Sequence, residues 1–358
     1  MADCIVRATA ANANIRAFAI QSTELAEEAR NLHHTTPVVT AALGRLLSAG
    51  AMMASMMKNE EDKLTLTIKG DGPVRQLTVT ADGAGNVKGF PEEPFVILPP
   101  KRPGKLDVGR AVGRGSLLVS MDLGLREPYN GQVELQTGEI GDDLAYYFAK
   151  SEQTPSAVGL GVKVAQDQHV EVAGGFILQL MPGAPEEVIA ALEERVARVT
   201  QVTSLLEETG GPTELLESIL GDLGLEITET LPVRWHCGCS EEYIARALAT
   251  LQTKDLKEMI EAGEDIEVKC HFCNSAYTYS PAQLTKILGR RYAALADKIF
   301  QTDSQVEVPD KLRAAAAVLQ AADAEGKAID AQVPADAEGE GAESAEGADP
   351  QPSDGKEE

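Results

Sequence analysis

The chain has 358 residues, 43% of them hydrophobic but only 4% aromatic, with a single Trp. That is length for two or three domains with aliphatic cores. A net charge of −24 argues against binding nucleic acid, which relies on local positive charge. No apolar run approaches the ~18 residues of a membrane span, so no membrane partner is expected either. The first stretch, MADCIVRATAANANIRAFAI, carries Asp3, Arg7 and Arg16 and lacks the apolar core of a secretory signal. The expected compartment is the cytoplasm.

Taken in chain order, IVRATAANANIRAFAI reads as two strands joined around Ala11–Asn14, and ELAEEARNLHH as a helix. PVVTAALGRLLSAGAMMASMM follows, with Pro37 near its start and Val39, Leu43, Leu46, Leu47, Met52, Met53, Met56 and Met57 at the spacing of a buried helix. Leu64, Leu66 and Ile68, then Leu77 and Val79, alternate as strands do, and GDGP and DGAGN between and after them are turn chemistry. GSLLVSMDL and GQVELQTGEI continue the strands, GDDLAYYFAKSEQ is a helix with acidic residues near its N-terminus, and AGGFILQLMPGA is a further strand. Residues 1–183 thus form an N-terminal mixed α/β core domain.

Residues 184–232 read as a helical linker. Pro185 can begin a helix in PEEVIAALEERVARVTQVTSLLEE, whose Val188, Ile189, Leu192, Val196, Val199, Val202, Leu205 and Leu206 form one apolar stripe. GGPT interrupts it before TELLESIL. Such a segment is marginal alone in water and needs a packing partner. Residues 233–290 form a small module around the cysteines, and 291–358 an extension with a possible Ala-rich helix, DKLRAAAAVLQAADAEGKAI. The last part, Pro334 to Glu358, has nine Asp/Glu against one Lys and is expected to be a disordered, solvated tail. The fold class is α+β.

Four of the five cysteines sit in that module, as WHCGCS and KCHFCN: Cys237 and Cys239, thirty residues, then Cys270 and Cys273. Four soft thiolates in two close pairs suit one tetrahedral Zn²⁺. A module below ~60 residues often requires such a staple. Ser240 is the expected N-cap of a helix after the first pair; Ser280 and Pro281 open another after the second. His236 and His271 flank the thiols and could substitute, although four cysteines already close a site. Spacing alone fits a permanent structural clip. It also fits a sensor, because thiolates beside a second thiol oxidise to disulfides and Gly238 leaves the first pair free to bend.

Longer stretches carry a resemblance. KGDGP (Lys69–Pro73), YNGQVELQTGEIGDDLAYYFAKSEQTPSAVGLGV (Tyr129–Val162), AGGFILQLMPGA (Ala173–Ala184) and the paired cysteines together resemble the heat shock protein 33 family, the redox-regulated holdase chaperones, over about residues 4–290. The resemblance implies that Cys237, Cys239, Cys270 and Cys273 bind zinc in a reduced, inactive form. It implies Cys237–Cys239 and Cys270–Cys273 disulfides on oxidation, with loss of zinc, unfolding of the linker and zinc domain, and homodimerisation. The activated form is then expected to hold unfolded clients without nucleotide. The apolar stripe of the linker is the candidate client surface. The extension lies beyond the family pattern.

Two other classes compete. A zinc-module nucleic-acid-binding or structural interaction protein would show clustered basic residues, and KRPGK (Lys101–Lys105) and Arg290–Arg291 are small. An enzyme is not expected: CxxC follows IEVK as a knuckle rather than opening a helix, no GxxxxGK[ST] loop is present, and no Ser/His/Asp set stands out.

Overall fold

The computed structural model of the chain describes residues 2–302, so the acidic tail and the Ala-rich stretch lie outside the described residues. The chain divides into two units. One comprises Met1–Gly238 with Cys270–Ser275, and the other Cys239–Lys269 with the chain from Ala276 onward.

The first unit opens with β1 (Cys4–Ala10) and β2 (Ile15–Gln21). Their turn is tight: Ala11, Asn12 and Ala13 all take positive φ. Then follow α1 (Thr23–His33), α2 (Pro37–Ala54), β3 (Lys63–Gly70), β4 (Gln76–Asp82), β5 (Asn86–Pro91), α3 (Val108–Val112), β6 (Gly115–Asp122), β7 (Tyr129–Glu134), α4 (Gly141–Lys150), β8 (Ser156–Val164) and β9 (Val170–Leu180). Helices α5 (Glu186–Arg198), α6 (Val202–Thr209) and α7 (Pro212–Leu220) lead to β10 (Glu226–Pro232) and the short β11 (Arg234–Trp235). Five strands form one sheet in the order β10-β1-β2-β9-β8, and six form another, β11-β5-β4-β3-β6-β7.

Helix α2 packs against strands of both sheets. Its 18 residues are apolar enough to cross a bilayer by composition, which corrects the expectation that no stretch approaches that length. Here 89% of it is buried, so its apolar surface is spent on the core rather than on lipid. Met52 and Met53 are buried in it, while Met56 and Met57 lie beyond its end and line a cleft of about 370 Å³ with Met121 and Phe148.

Strand alternation gives the first sheet two apolar faces. Ile5, Phe18, Ile20 and Ile177 join the core around α2. Val6, Ala8, Ala17, Ala19, Phe176 and Leu178 face a second core built with α5, α6 and α7. Periodicity suggested one long helix over the stripe, but it breaks at Val199–Gln201, and Pro185 stands at the N-cap rather than inside the helix. Helix α6 lies against a seat of glycines. A Cβ on Gly159, Gly161 or Gly174 would meet Val202, Thr203 or Leu206 side-chain atoms at 3.1, 2.7 and 3.0 Å.

One loop departs from a plain strand reading, and another is the turn that its sequence predicts. β7 ends at Glu134, and QTGEI instead wraps the fully buried Asp143, which accepts from the backbone N–H of Gln136, Thr137, Gly138 and Ile140. In GDGP the amides are already committed: Gly70 donates to Arg75 O and Gly72 to Val112 O. A Cβ on Gly72 would lie 2.4 Å from Ala111 O, so the glycines serve close backbone approach.

Asp3, 4% exposed, accepts from the Leu25 and Glu24 amides at the start of α1. Burial outweighs these bonds and pushes its carboxyl up to about 6. A carboxyl raised in the folded state favours folding below its ordinary value of 3.8, and that advantage is lost as pH rises through about 6. Urea unfolding at about pH 4 and about pH 7 should therefore show Asp3→Asn gaining on the parent as pH rises, by up to roughly 3 kcal/mol. Parallel pH profiles for the two proteins would refute this.

The second unit contains α8 (Glu241–Leu248), α9 (Thr253–Glu261), β12 (Ile266–Lys269), β13 (Ala276–Tyr279) and α10 (Pro281–Thr302). Its core is small: Ile244, Leu248, Leu256, Tyr279, Leu284, Ile287 and Leu288.

Candidate metal centre

Each cysteine pair is placed by a short, well-tied segment. β11 runs parallel to β5, with Trp235 opposite Val87, and the His236 amide donates to Val87 O, so Cys237 leaves an anchored strand end. Gly238 does not take positive φ. Cys239 precedes Ser240, whose side chain accepts from Tyr243 N as the expected N-cap of α8, with Glu241 and Glu242 in the first turn. The second pair sits in the turn between β12 and β13, where Cys270 N donates to Ser275 O and Asn274, in the left-handed region, donates to Cys270 O. The Ser280 hydroxyl accepts from Gln283 N, and Gln283 Oε1 accepts from Ser280 N. This reciprocal cap at the start of α10 fixes the far side of the hairpin.

The Sγ atoms of Cys237, Cys239, Cys270 and Cys273 all lie within 4.8 Å of one another. Those of Cys237 and Cys270 are 3.7 Å apart. Four sulfurs at ~2.3 Å from one zinc in a tetrahedron would be about 3.8 Å apart, so the donor set fits a metal of that size and softness. Cys270 is buried, the other three are half-buried, and none is in a disulfide. Neither His236 nor His271 belongs to the cluster among the described residues.

Two hydroxyls that sequence reasoning did not single out touch the sulfurs. Tyr277 Oη lies 3.2 Å from Cys239 Sγ, and Ser275 Oγ 3.3 Å from Cys273 Sγ. The Tyr277 hydroxyl can donate to a Cys239 thiolate and steady its charge, whereas Ser275 Oγ accepts from the Cys273 thiol. Their position in the CxxC hairpin is visible in sequence, but contact with the sulfurs depends on the turn. Cys4 stands apart. Burial and the neighbouring Asp3 push its thiol up, which keeps it protonated and unreactive.

The stripe residues are drawn together but not uniformly. Leu192 and Leu206 are buried, Val188, Val196, Val199, Val202 and Leu205 pack half-buried on the same core, and Ile189 is half-buried. Of the basic clusters, Lys101 and Lys105 both reach Glu139, as does Arg45, and Arg291 donates to Leu251 O.

The family model described as Hsp33 protein matches residues 3–280. A 33 kDa chaperonin of Agathobacter rectalis is 58% identical over 287 residues, which cover 80% of this chain and 100% of that protein. One of Lachnoclostridium phytofermentans is 53% identical over 290 residues, 81% of this chain and 99% of the relative. The crystal structure of the 33 kDa chaperonin (heat shock protein 33 homolog) from Thermotoga maritima superposes with a TM-score of 0.75 at 35% identity, covering 82% of this chain and all of that one. The match spans both core sheets, the helical layer and the paired cysteines, and the chain belongs to the Hsp33 family.

Proposed function

We propose that this protein is a redox-regulated, ATP-independent holdase chaperone of the cytoplasm, and not an enzyme. Cys237, Cys239, Cys270 and Cys273 hold one zinc ion per chain in the reduced, inactive state. When bound, the metal keeps the thiols deprotonated and staples a module whose own core is small. Oxidation joins Cys237 to Cys239 and Cys270 to Cys273. Each pair of thiolates gives up two electrons as its S–S bond forms, and with two protons from solvent one peroxide per pair is reduced to two waters. A chain with two local disulfides no longer presents four thiolates, so its hold on the metal and the fold around it are lost together.

The four-thiol cluster carries this reading: its donors come as two sequence-local pairs, each able to close on itself. The second support is the layer above the first sheet. Helices α5 and α6 each bury a single side chain, Leu192 and Leu206, whereas α7 buries Pro212, Leu215, Leu216, Ile219 and Leu220. Elements with so few buried contacts open first. Within the linker, residues 184–232, between a core domain, 1–183, and a zinc domain, 233–290, α5 and α6 are then the metastable part. Its stripe from Val188 to Leu206, with the sheet face beneath, takes unfolded clients, and the oxidised form is a homodimer. A zinc-module nucleic-acid binder is the weaker reading, since Lys101 and Lys105 already face Glu139.

Treating reduced protein with peroxide at elevated temperature should release about one zinc per chain to a colorimetric chelator. Only the oxidised sample should then keep a denatured client from aggregating, without ATP and reversibly with reductant. Retained zinc, or equal protection by both samples, would make the cluster a permanent staple.

A further inference from the structure

The turn Cys270–Ser275 belongs to the first unit, and it is seated there by side chains that no ligand role explains. Val87 and Gly89 of β5 point into the core, so Lys88 and Phe90 present the outer face. The Phe272 ring stands edge-on to Phe90 at 5.1 Å between centroids, with Lys88 Nζ 4.6 Å from its own centroid. The His271 ring is 5.6 Å from Phe90.

Below this, His33 ends α1. Its Nε2 lies 3.0 Å from both Gly89 O and Phe272 O. Two carbonyls at one nitrogen require that nitrogen to carry the proton. Asn274 settles the other nitrogen: its amide Nδ2 donates to Leu32 O at 2.6 Å and faces His33 Nδ1 at 3.4 Å. The Leu32 carbonyl fixes which end of the amide is turned inward, so Nδ1 accepts. The imidazole is neutral with both nitrogens engaged, and burial holds it below its ordinary pKa. Trp235, two residues before Cys237, stands edge-on to the same ring at 6.2 Å.

We infer that β5 and the end of α1 form a latch in which Phe90, Lys88 and His33 grip Phe272 and Asn274, making these positioning residues for the metal centre. The inference rests on the zinc-switch reading and deepens it. Both cysteine pairs are tethered to the same edge, the first through β11 on β5 and the second through this grip. The body of the protein thereby helps the metal to keep Cys237 beside Cys270 and Cys273, and so sets how readily the centre comes apart. Without the grip the ligands are unchanged, but keeping the pairs together falls to the metal alone.

A double-mutant cycle on Phe90→Ala and Phe272→Ala tests this, with zinc transfer from reduced protein to a chelator as the readout and no oxidant or client present. Phe90 lies on the outer face, so its truncation opens no core cavity. Phe90→Ala loses the aromatic pair and should speed release roughly tenfold; Phe272→Ala loses that pair and the Lys88 cation–π contact, should be at least as fast, and should not be exceeded by the double variant. Release at the parent rate in Phe90→Ala, or a double variant near the product of the two effects, about a hundredfold, overturns the latch. A chain that purifies without zinc sinks the zinc-switch reading instead. The latch is then read from Trp235 emission, which both substitutions shift, non-additively, if the rings are engaged and leave at the parent value if they are not.

Discussion

Cys270→Ser is expected to leave the protein without zinc and to unfold α8, α9 and α10, while the sheets of the first unit persist. Cys270 is the most buried of the four thiols, and its sulfur is 3.7 Å from that of Cys237. A serine hydroxyl stays protonated at neutral pH and cannot replace a thiolate in a soft donor set. Structural zinc contributes on the order of 10 kcal/mol to folding small modules. Seven buried side chains around Leu256 and Tyr279 cannot offset that loss, because cores in units this small are marginal. Zinc content and far-UV circular dichroism check the result: no metal, and helicity reduced by the share of α8, α9 and α10. Cys4→Ser, away from the cluster, should change neither. A Cys270→Ser protein with one zinc and full helicity would show that three thiols suffice.

Leu206→Asp should activate the reduced protein without touching a cysteine. Leu206 is 5% exposed and is the only buried side chain of α6. Its Cδ1 lies over Gly174, 3.0 Å from where a Cβ on that residue would stand. A carboxylate there must shed its hydration unpaired, at a cost of several kcal/mol. The cheaper outcome is for α6 to leave its glycine seat. Helix α5, whose single buried side chain is Leu192, should follow, while α7 stays. The uncovered face, on β8 and β9, is apolar: Ala157, Phe176 and Leu178. The variant is expected to suppress aggregation of a heat-denatured client under reducing conditions with its zinc still bound. Should it lose the helices of this layer, by proteolysis or circular dichroism, and still leave the client to aggregate, clients bind elsewhere.

Much of this molecule was legible in its residues because the determining interactions are local. The apolar density of Pro37–Ala54 commits it to a buried helix, and the alternation in β3 and β4 to strands. Ser240 and Ser280–Pro281 mark helix starts because a cap is a contact between residues three apart. Likewise the cysteine spacing reports its own chemistry, since a pair two or three positions apart needs no fold to be close.

Only the tertiary structure decided the rest, wherever distant segments meet. β10 has an exposed, unpatterned sequence, Glu226–Pro232, and becomes a strand because its backbone pairs with β1, more than two hundred residues away. The stripe is continuous in sequence, yet α5 and α6 are separate helices, with α6 fitted to the glycines of β8 and β9. The turn Cys270–Ser275 parts from its own hairpin to join the first unit through His33 and Phe90. Periodicity records which face of an element is apolar, and hydrogen-bond caps record where it starts. Neither records which surface arrives from far along the chain to cover it, because that depends on the shape and register of both partners once folded.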